Sequence, residues 1–379
     1  MVQWFLDLRT RDREPREKPS MKIVGCDFHP RWQQIAVFDG ETGGVSEQKL
    51  LNGDGEAERF YRGLEAPALV GIEACGNSQW FIDLLERLGH QVWVGDAARI
   101  RASYVRRQKT DRRDAGHILK LLMEDRFPRL WMATAAQRDL RQLLVHRHKL
   151  VEIRTRVKNG LQHLALNRGM QKQRSLWTAG GMAGLKNLAL EGWSLRRRAD
   201  LLKLLGELDQ QVSALDEAVG QAAAGHPEAR LLMTQPGVGP VTALAFAVTI
   251  GDVRRFEHSG QVASYVGLIP REHSSGGKQR LGAISKQGNR FMRQLLVEAA
   301  QTACRLDEGF RKPYVARCHH KPKGVAKVAA ARKLAVRLYW MMRQKVAYPE
   351  IAHIESSSRV PLTGTKEVVT LNERSRIRQ

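Results

Sequence analysis

The stretch KIVGCDFHPRWQQIAVFDG, residues 22–40, decides the fold. KIVGCDF (22–28) and QQIAVFDG (33–40) are apolar runs joined by a short polar link, which reads as a hairpin of two strands. A carboxylate, Asp27, interrupts the first run. Outward from this hairpin, GVSEQKLL (44–51) reads as a third strand and a helix follows at about 55–64. Then come the apolar strand ALVGIEA (68–74), the amphipathic helix QWFIDLLERLG (79–89), the strand QVWVGDA (91–97) and the helix DRRDAGHILKLLMED (111–125).

Three antiparallel strands, then helix, strand, helix, strand and helix, is the order of an RNase H-like (RuvC-like) α/β domain, expected over 21–130. Residues 1–20 are charge-rich and without period, and are read as a disordered extension ahead of a candidate start at Met21. From 131 to 228 the chain is helical. Leu143, Leu150, Val157 and Leu164 recur every seven residues, and Leu201, Leu205, Leu208, Val212, Leu215 and Val219 form a regular a/d seam. That seam fits an intramolecular helical hairpin and a coiled coil between protomers equally well. Gln171 to Gly192, rich in Gly and Ala, is expected to be a turn or linker. A mostly helical domain is expected over 229–348, and a disordered tail over 349–379.

Charge is the outlying property of the composition. Lys and Arg number 62 against 39 Asp and Glu, a formal net charge of +23 that points to a polyanionic partner. No apolar run is long enough for a membrane span and the N-terminus has no signal-peptide core, so a cytoplasmic location without membrane association is expected. The four cysteines have no paired spacing and read as reduced thiols. Residues 309–349 carry 11 Lys and Arg and no acid, which favours neutralisation of a nucleic-acid backbone.

The carboxylates form the strongest constellation. Asp27 and Glu73 lie on apolar strands, where a charge is costly unless paired or bound to a metal. Asp111 and Asp114, three apart on one helix, would repel one another. Mg²⁺, or Mn²⁺ with similar oxygen preference, relieves both penalties, and two such ions would serve phosphodiester transfer. Taken singly, each acid also has a structural explanation as a turn or first-turn helix residue. The neighbouring RIRASYVRRQKTDRRD (99–114) places Arg106, Arg107, Lys109, Arg112 and Arg113 along a nucleic-acid path beside the acids.

Two further segments bear on phosphate. LLMTQPGVGPVTALAFAV (231–248) resembles a helix-hairpin-helix, with Gly237 and Gly239 in the turn whose amides would face a DNA phosphate; an ordinary packing unit is the plainer explanation. In PREHSSGGKQRLGAISKQGNR (270–290), Ser274 and Ser275 precede Gly276 and Gly277, surrounded by Arg271, Lys278, Arg280, Lys286 and Arg290. The residues alone favour a phosphate-binding loop without a covalent role, because a serine nucleophile needs activation.

The blocks CDFH, GIEACG, KTDRRDA, PGVGPVTA, SYVGLIPREHSSGGK and LGAISKQGNRFMRQLLVEAA occur in one order across about residues 21–345. In them the chain resembles the DEDD-type insertion-sequence transposases, which pair a RuvC-like N-terminal domain with a C-terminal serine transposase domain and belong to the bridge-RNA-guided recombinases. The resemblance implies an acidic tetrad at Asp27, Glu73, Asp111 and Asp114 and a nucleophile at Ser275, with Ser274 the near alternative and Ser285 a weaker one. It further implies cutting and rejoining of DNA at the element's ends or junction and at a target, guided by a structured noncoding RNA, in a homo-oligomer such as a dimer or tetramer. A metal-dependent nuclease or junction resolvase using water is the alternative. An ATPase of the sugar-kinase or actin type would need two glycine-rich phosphate loops, and neither occurs.

Overall fold

The computed structural model describes residues 21–104, 111–170, 175–273 and 280–357, without the side chains of residue 111 and of 355–357. It divides into two compact units, one ending at Met132 and the other beginning at Ala133.

In the N-terminal unit, β1 (Ile23–Phe28), β2 (Trp32–Phe38), β3 (Val45–Leu51), β4 (Leu69–Glu73) and β5 (Gln91–Gly95) form one sheet in the order β3-β2-β1-β4-β5. The first three strands are antiparallel, and β1–β4 and β4–β5 are parallel. Helices α1 (Glu56–Gly63) and α2 (Gln79–Arg87) connect β3 to β4 and β4 to β5, and α3 (Ala97–Ala102) and α4 (Asp111–Met123) follow β5. The five strands, the antiparallel pairing of the first three, and α1, α2 and α4 match those expected from the sequence; α3 was not expected.

Alternation along β1 and β4 divides the sheet into two faces. Val24, Cys26, Phe28, Val70 and Ile72 pack in one core with Tyr61 of α1 and Phe81 and Leu85 of α2. Burial pushes the Cys26 thiol up, so it stays protonated and inert. The opposite face carries Ile23, Gly25 and Asp27 of β1 and Leu69, Gly71 and Glu73 of β4, and α4 packs on it through Ile118, Leu119 and Leu122. Gly25 and Gly71 are cross-strand neighbours. A Cβ on Gly25 would lie 2.4 Å from both the Ala115 carbonyl oxygen and the Leu119 nitrogen, and one on Gly71 would lie 2.6 Å from the Leu122 side chain. The helix backbone therefore rests on a floor without side chains.

The second unit is helical. α5 (Ala135–Leu166) starts at a capping box in which Thr134 and Gln137 satisfy each other's backbone N–H. α7 (Gly192–Gly225) returns antiparallel to it. Val157 and Leu161 meet Leu205 and Leu208 near one end, and Leu144 joins Val219 and Ala223 at the other. Arg154 pairs with Asp209 at 3.3 Å, and Arg147 with Asp216. The leucine seam is thus the interior of an intramolecular hairpin, and it carries no argument for an oligomer.

Three other expectations change. The segment between these helices contains α6 (Ala179–Lys186), capped by Thr178, with Gly181 packed against Ser175 and Leu176. Residues expected to form separate middle and C-terminal domains share one core, because Leu144, Val219 and Ala223 pack with α8 (Pro227–Met233), α9 (Pro240–Ile250), α10 (Ser259–Tyr265), α11 (Arg290–Leu306) and α13 (Lys323–Gln344). Residues 350–357 of the expected tail form α14 (Glu350–Ser357), where Ile351 is fully buried in the same core; residues 358–379 lie outside the described residues. α12 (Glu308–His320) and a small hairpin of β6 (Pro270–Glu272) and β7 (Leu281–Ile284) complete the unit.

Gly25→Ala forces α4 away from β1, so we expect a loss of about 1–3 kcal/mol, typical of an overpacked core. Urea unfolding of the full chain measures it. Unchanged unfolding would mean that α4 shifts without cost.

Candidate catalytic and nucleic-acid sites

The last register pair of the β1–β4 ladder is Cys26 with Ile72, so Asp27 and Glu73 are the next residues on two adjacent parallel strands. Both belong to the face that α4 covers. Asp114, in the first turn of α4, is only 5% exposed and accepts a 2.6 Å hydrogen bond from the Tyr104 hydroxyl. Burial raises the Tyr104 pKa, helped by that bond and by the charges of Asp114, Asp27 and Glu73, so the phenol remains a neutral donor. Of the expected acids with described side chains, Asp114 alone is hydrogen-bonded to that hydroxyl. The fourth, Asp111, opens α4, but its side chain lies outside the described residues.

The site has neighbours that sequence reasoning missed. His29 Nε2 lies 3.3 Å from Asp27 Oδ2, and its ring stacks on Trp32 with centroids 4.1 Å apart. Arg101 Nη2 lies 3.7 Å from Glu73 Oε1. Asp96 caps α3 by accepting from the Ala98 and Arg99 amides. At the other end of α3, Ser103 bonds His117 at 2.8 Å and the Tyr104 ring stacks on the same imidazole. The only sequence signal for these contacts was the mixture of Tyr104 with basic residues. Among the described residues, no group of three or more His, Cys, Asp or Glu side chains is close enough to hold a metal ion. The donors present are carboxylates, the chemistry a hard divalent cation prefers.

Of the basic residues expected beside the acids, Arg106, Arg107 and Lys109 lie outside the described residues. Arg112 and Arg113 are exposed on α4, and Arg112 Nε pairs with Glu47 of β3. An exposed pair of this kind is worth about 0–1 kcal/mol and can exchange for a phosphate.

In the second unit, β6 and β7 close on the His273 N–H to Arg280 carbonyl bond at 2.9 Å. The segment joining them contains Ser274, Ser275, Gly276, Gly277 and Lys278, all outside the described residues. Arg271, Arg280, Lys286 and Arg290 are exposed around the hairpin. Ser285, by contrast, has a buried hydroxyl oxygen without a hydrogen-bond partner among the described residues. Below it two loops interlock. Gly267 (φ 70°) abuts Gln287 and Gly288 (φ 71°) abuts Tyr265, so a Cβ on either would lie within 2.2 Å of a carbonyl oxygen. Arg293 donates to the carbonyls of Val266 and Gly288 across the junction. This brace was not anticipated.

The Gly-Val-Gly turn has a packing role. Gly237 has φ 90°, and a Cβ there would lie 2.6 Å from the Ala299 carbonyl and the Ala303 nitrogen of α11. α9, which follows it, is buried from Thr242 to Ile250 and is the central helix of the unit. Gly239 has open space around it. The basic run also differs from expectation at Arg337, which is 2% exposed and bonded to Asp307 at 2.5 Å and Gln235 at 3.2 Å.

Comparison with known proteins defines the class. Residues 24–168 match a family model described as "Transposase", of the DEDD type, and residues 229–315 match "Transposase IS116/IS110/IS902 family". A "Probable family 20 transposase" of Pseudomonas aeruginosa is 30% identical over 87% of this chain and 99% of its own length. The "Transposase for insertion sequence element IS1111A" of Coxiella burnetii is 29% identical over 76% of this chain and 80% of its own. The corresponding protein of element IS1328 from Yersinia enterocolitica is 28% identical over 62% and 70%. These are transposases, and the chain belongs to the IS116/IS110/IS902 transposase family. No helix among the described residues is long and apolar enough to cross a membrane.

The two turn glycines separate packing from phosphate binding. Gly237→Ala should cost more than about 1 kcal/mol of stability, because φ is positive and the space is filled. Gly239→Ala should leave thermal unfolding unchanged, and any loss of duplex affinity in that variant would identify a phosphate contact at the turn.

Proposed function

We propose that this transposase cuts and rejoins DNA at the ends of its own insertion sequence and at a target, using Ser275 as nucleophile and the carboxylates of Asp27, Glu73, Asp111 and Asp114 as its acidic centre. The observation that carries the reading is the placement of Asp27 and Glu73 side by side at the C-terminal ends of parallel β1 and β4, on the face covered by α4, whose first turn carries Asp114. The strand order, with a helix laid over β1 and β4, supports an RNase H-like (RuvC-like) assignment. The four carboxylates would hold Mg²⁺ or Mn²⁺, which when bound supplies positive charge to the phosphodiester and its leaving oxygen.

The rest falls to the chain. Tyr104 fixes Asp114, and His29 and Arg101 orient Asp27 and Glu73. Ser275 Oγ attacks phosphorus, forming an O–P bond as the bond to one sugar oxygen breaks. The serine proton leaves, and the departing sugar oxygen takes one up. A hydroxyl of a second strand then attacks the phosphoserine, restoring the serine and rejoining the DNA. Arg271, Lys278, Arg280, Lys286 and Arg290 neutralise the phosphates, and Gly276 and Gly277 let the backbone approach. The remaining basic residues, with Arg106, Arg107, Lys109, Arg112 and Arg113 beside the acids, engage DNA and a structured noncoding RNA that selects both sites by pairing. Strand exchange between two DNA molecules requires at least two copies of the chain.

A suicide DNA substrate with the copurifying RNA, run on a denaturing gel, tests the serine. Wild type should give a protein–DNA adduct and Ser275→Ala none. An adduct that persists in Ser275→Ala but vanishes in Ser274→Ala or Ser285→Ala would move the nucleophile, and cleavage with no adduct in any variant would favour water and a nuclease or resolvase. Asp27→Ala and Glu73→Ala should reduce cleavage to background while DNA binding persists, because the acids serve chemistry and the basic surface serves affinity; wild-type cleavage by either would remove the acidic centre from the mechanism.

A further inference from the structure

A concavity of about 550 Å³ opens between α11, α12 and α13, lined by no residue of the β6–β7 hairpin. Arg305, Arg311 and Lys327 line it, together with Gln301, Tyr314 and Val315, and no carboxylate is among its described lining residues. We propose that it is a binding pocket for a single unstacked nucleotide of a nucleic-acid strand, an inference that rests on the nucleic-acid reading above.

Three observations converge on that ligand. The first is charge. Three cations directed at one concave volume repel each other unless an anion enters, and a phosphate is the anion this strongly basic protein meets. The second is shape. A flat basic face can follow the phosphates of a duplex, whereas a recess of this volume lies in the range of small-ligand pockets and admits one nucleotide. The third is the wall. Tyr314 of α12 lines the pocket edge. Val315, 48% exposed, extends the apolar surface beside it. An aromatic face next to an exposed apolar side chain, with cations around them, is what a base and its phosphate require together. Gln301 adds an amide with both donor and acceptor for the base edge. Splayed bases of this kind occur in RNA loops and in single-stranded DNA.

Fluorescence anisotropy of the full chain with a labelled oligouridylate, an oligothymidylate and a short DNA duplex tests the pocket. Tyr314→Leu, which removes the stacking face at similar volume, should weaken single-strand binding roughly tenfold. Duplex affinity should stay within about twofold of wild type, and Tyr314→Phe should bind single strands like wild type. Arg311→Gln combined with Lys327→Gln should weaken single-strand binding and reduce its salt dependence. Preference for one labelled strand over the other identifies RNA or DNA as the source of the nucleotide. Equal losses for strands and duplex would overturn the pocket in favour of a plain phosphate-contacting face, as would unaltered single-strand binding by Tyr314→Leu. Should Tyr314→Leu fold poorly, photocrosslinking of wild type to a 5-iodouracil strand decides: adducts within Arg311 to Val315 support the pocket, and adducts confined elsewhere overturn it. If wild type binds none of the three probes, the nucleic-acid reading falls and takes the pocket with it; if wild type binds strands and the variants bind equally, only the pocket falls.

Discussion

The seating of α4 on β1 governs the N-terminal unit. Gly25 and Gly71, adjacent in the parallel ladder, remove two side chains from the centre of the sheet, and the α4 backbone at Ala115 to Leu119 fills the space. Two residues further along β1 and β4 stand Asp27 and Glu73, and one residue before Ala115 stands Asp114. The depth of the helix therefore sets how near Asp114 comes to the strand carboxylates. A helix held off by one methyl group would retain the hydrophobic contacts of Ile118 and Leu122 in part, but it would lift the acid out of reach. Close approach also explains how a carboxylate can be nearly buried. Asp114 lies under the layer it belongs to, and the Tyr104 hydroxyl meets the hydrogen-bonding demand that burial creates.

The second unit depends on a different buried group. Arg337 on α13 bonds Asp307 at the α11–α12 junction and Gln235 at the end of α8, and its guanidinium lies 4.5 Å from the Phe310 ring centre. Asp307 also caps α12 through the Gly309 amide. Burying such a pair contributes little net stability compared with an apolar core, but breaking it leaves one charge buried and unpaired, at a cost of about 3–5 kcal/mol. The pair ties α13 to the junction of α11 and α12, the three helices that line the cationic concavity.

What the sequence made legible follows from range. The strands of the N-terminal sheet, α1, α2 and α4 were readable because apolar alternation and helical period are local properties, and Asp27 and Glu73 stood out as charges at the ends of apolar runs. The period of Leu205, Leu208, Val212 and Val219 was equally clear, yet a period names a buried stripe and not the surface that buries it. Only the chain's return along α5 identifies that surface as its own. The same gap hid Arg337, which reads as one more cation in a basic run, and Gly237, whose positive φ and contact with α11 follow from a partner some sixty residues away. α14 was missed because eight residues with a single fully buried Ile351 carry almost no periodic signal. A covalent role for Ser275 was not legible in its residues, which alone favoured phosphate binding; it came from the family resemblance, and Ser275 lies outside the described residues.

Electrostatics separates the roles of the two kinds of charge. The protein carries a large positive excess, but the group at the ends of β1 and β4 is anionic, and a phosphodiester brought there by the excess would be repelled by the carboxylates themselves. Arg101, 3.7 Å from Glu73, offsets part of that field from the rim. Tyr104 adds none, because its raised pKa keeps it neutral and donating. Affinity for nucleic acid and competence at phosphorus therefore make opposite demands on the same surface. The fold places Asp27 and Glu73 on one face of the sheet, under a helix that carries Asp114 in its first turn and exposes Arg112 and Arg113.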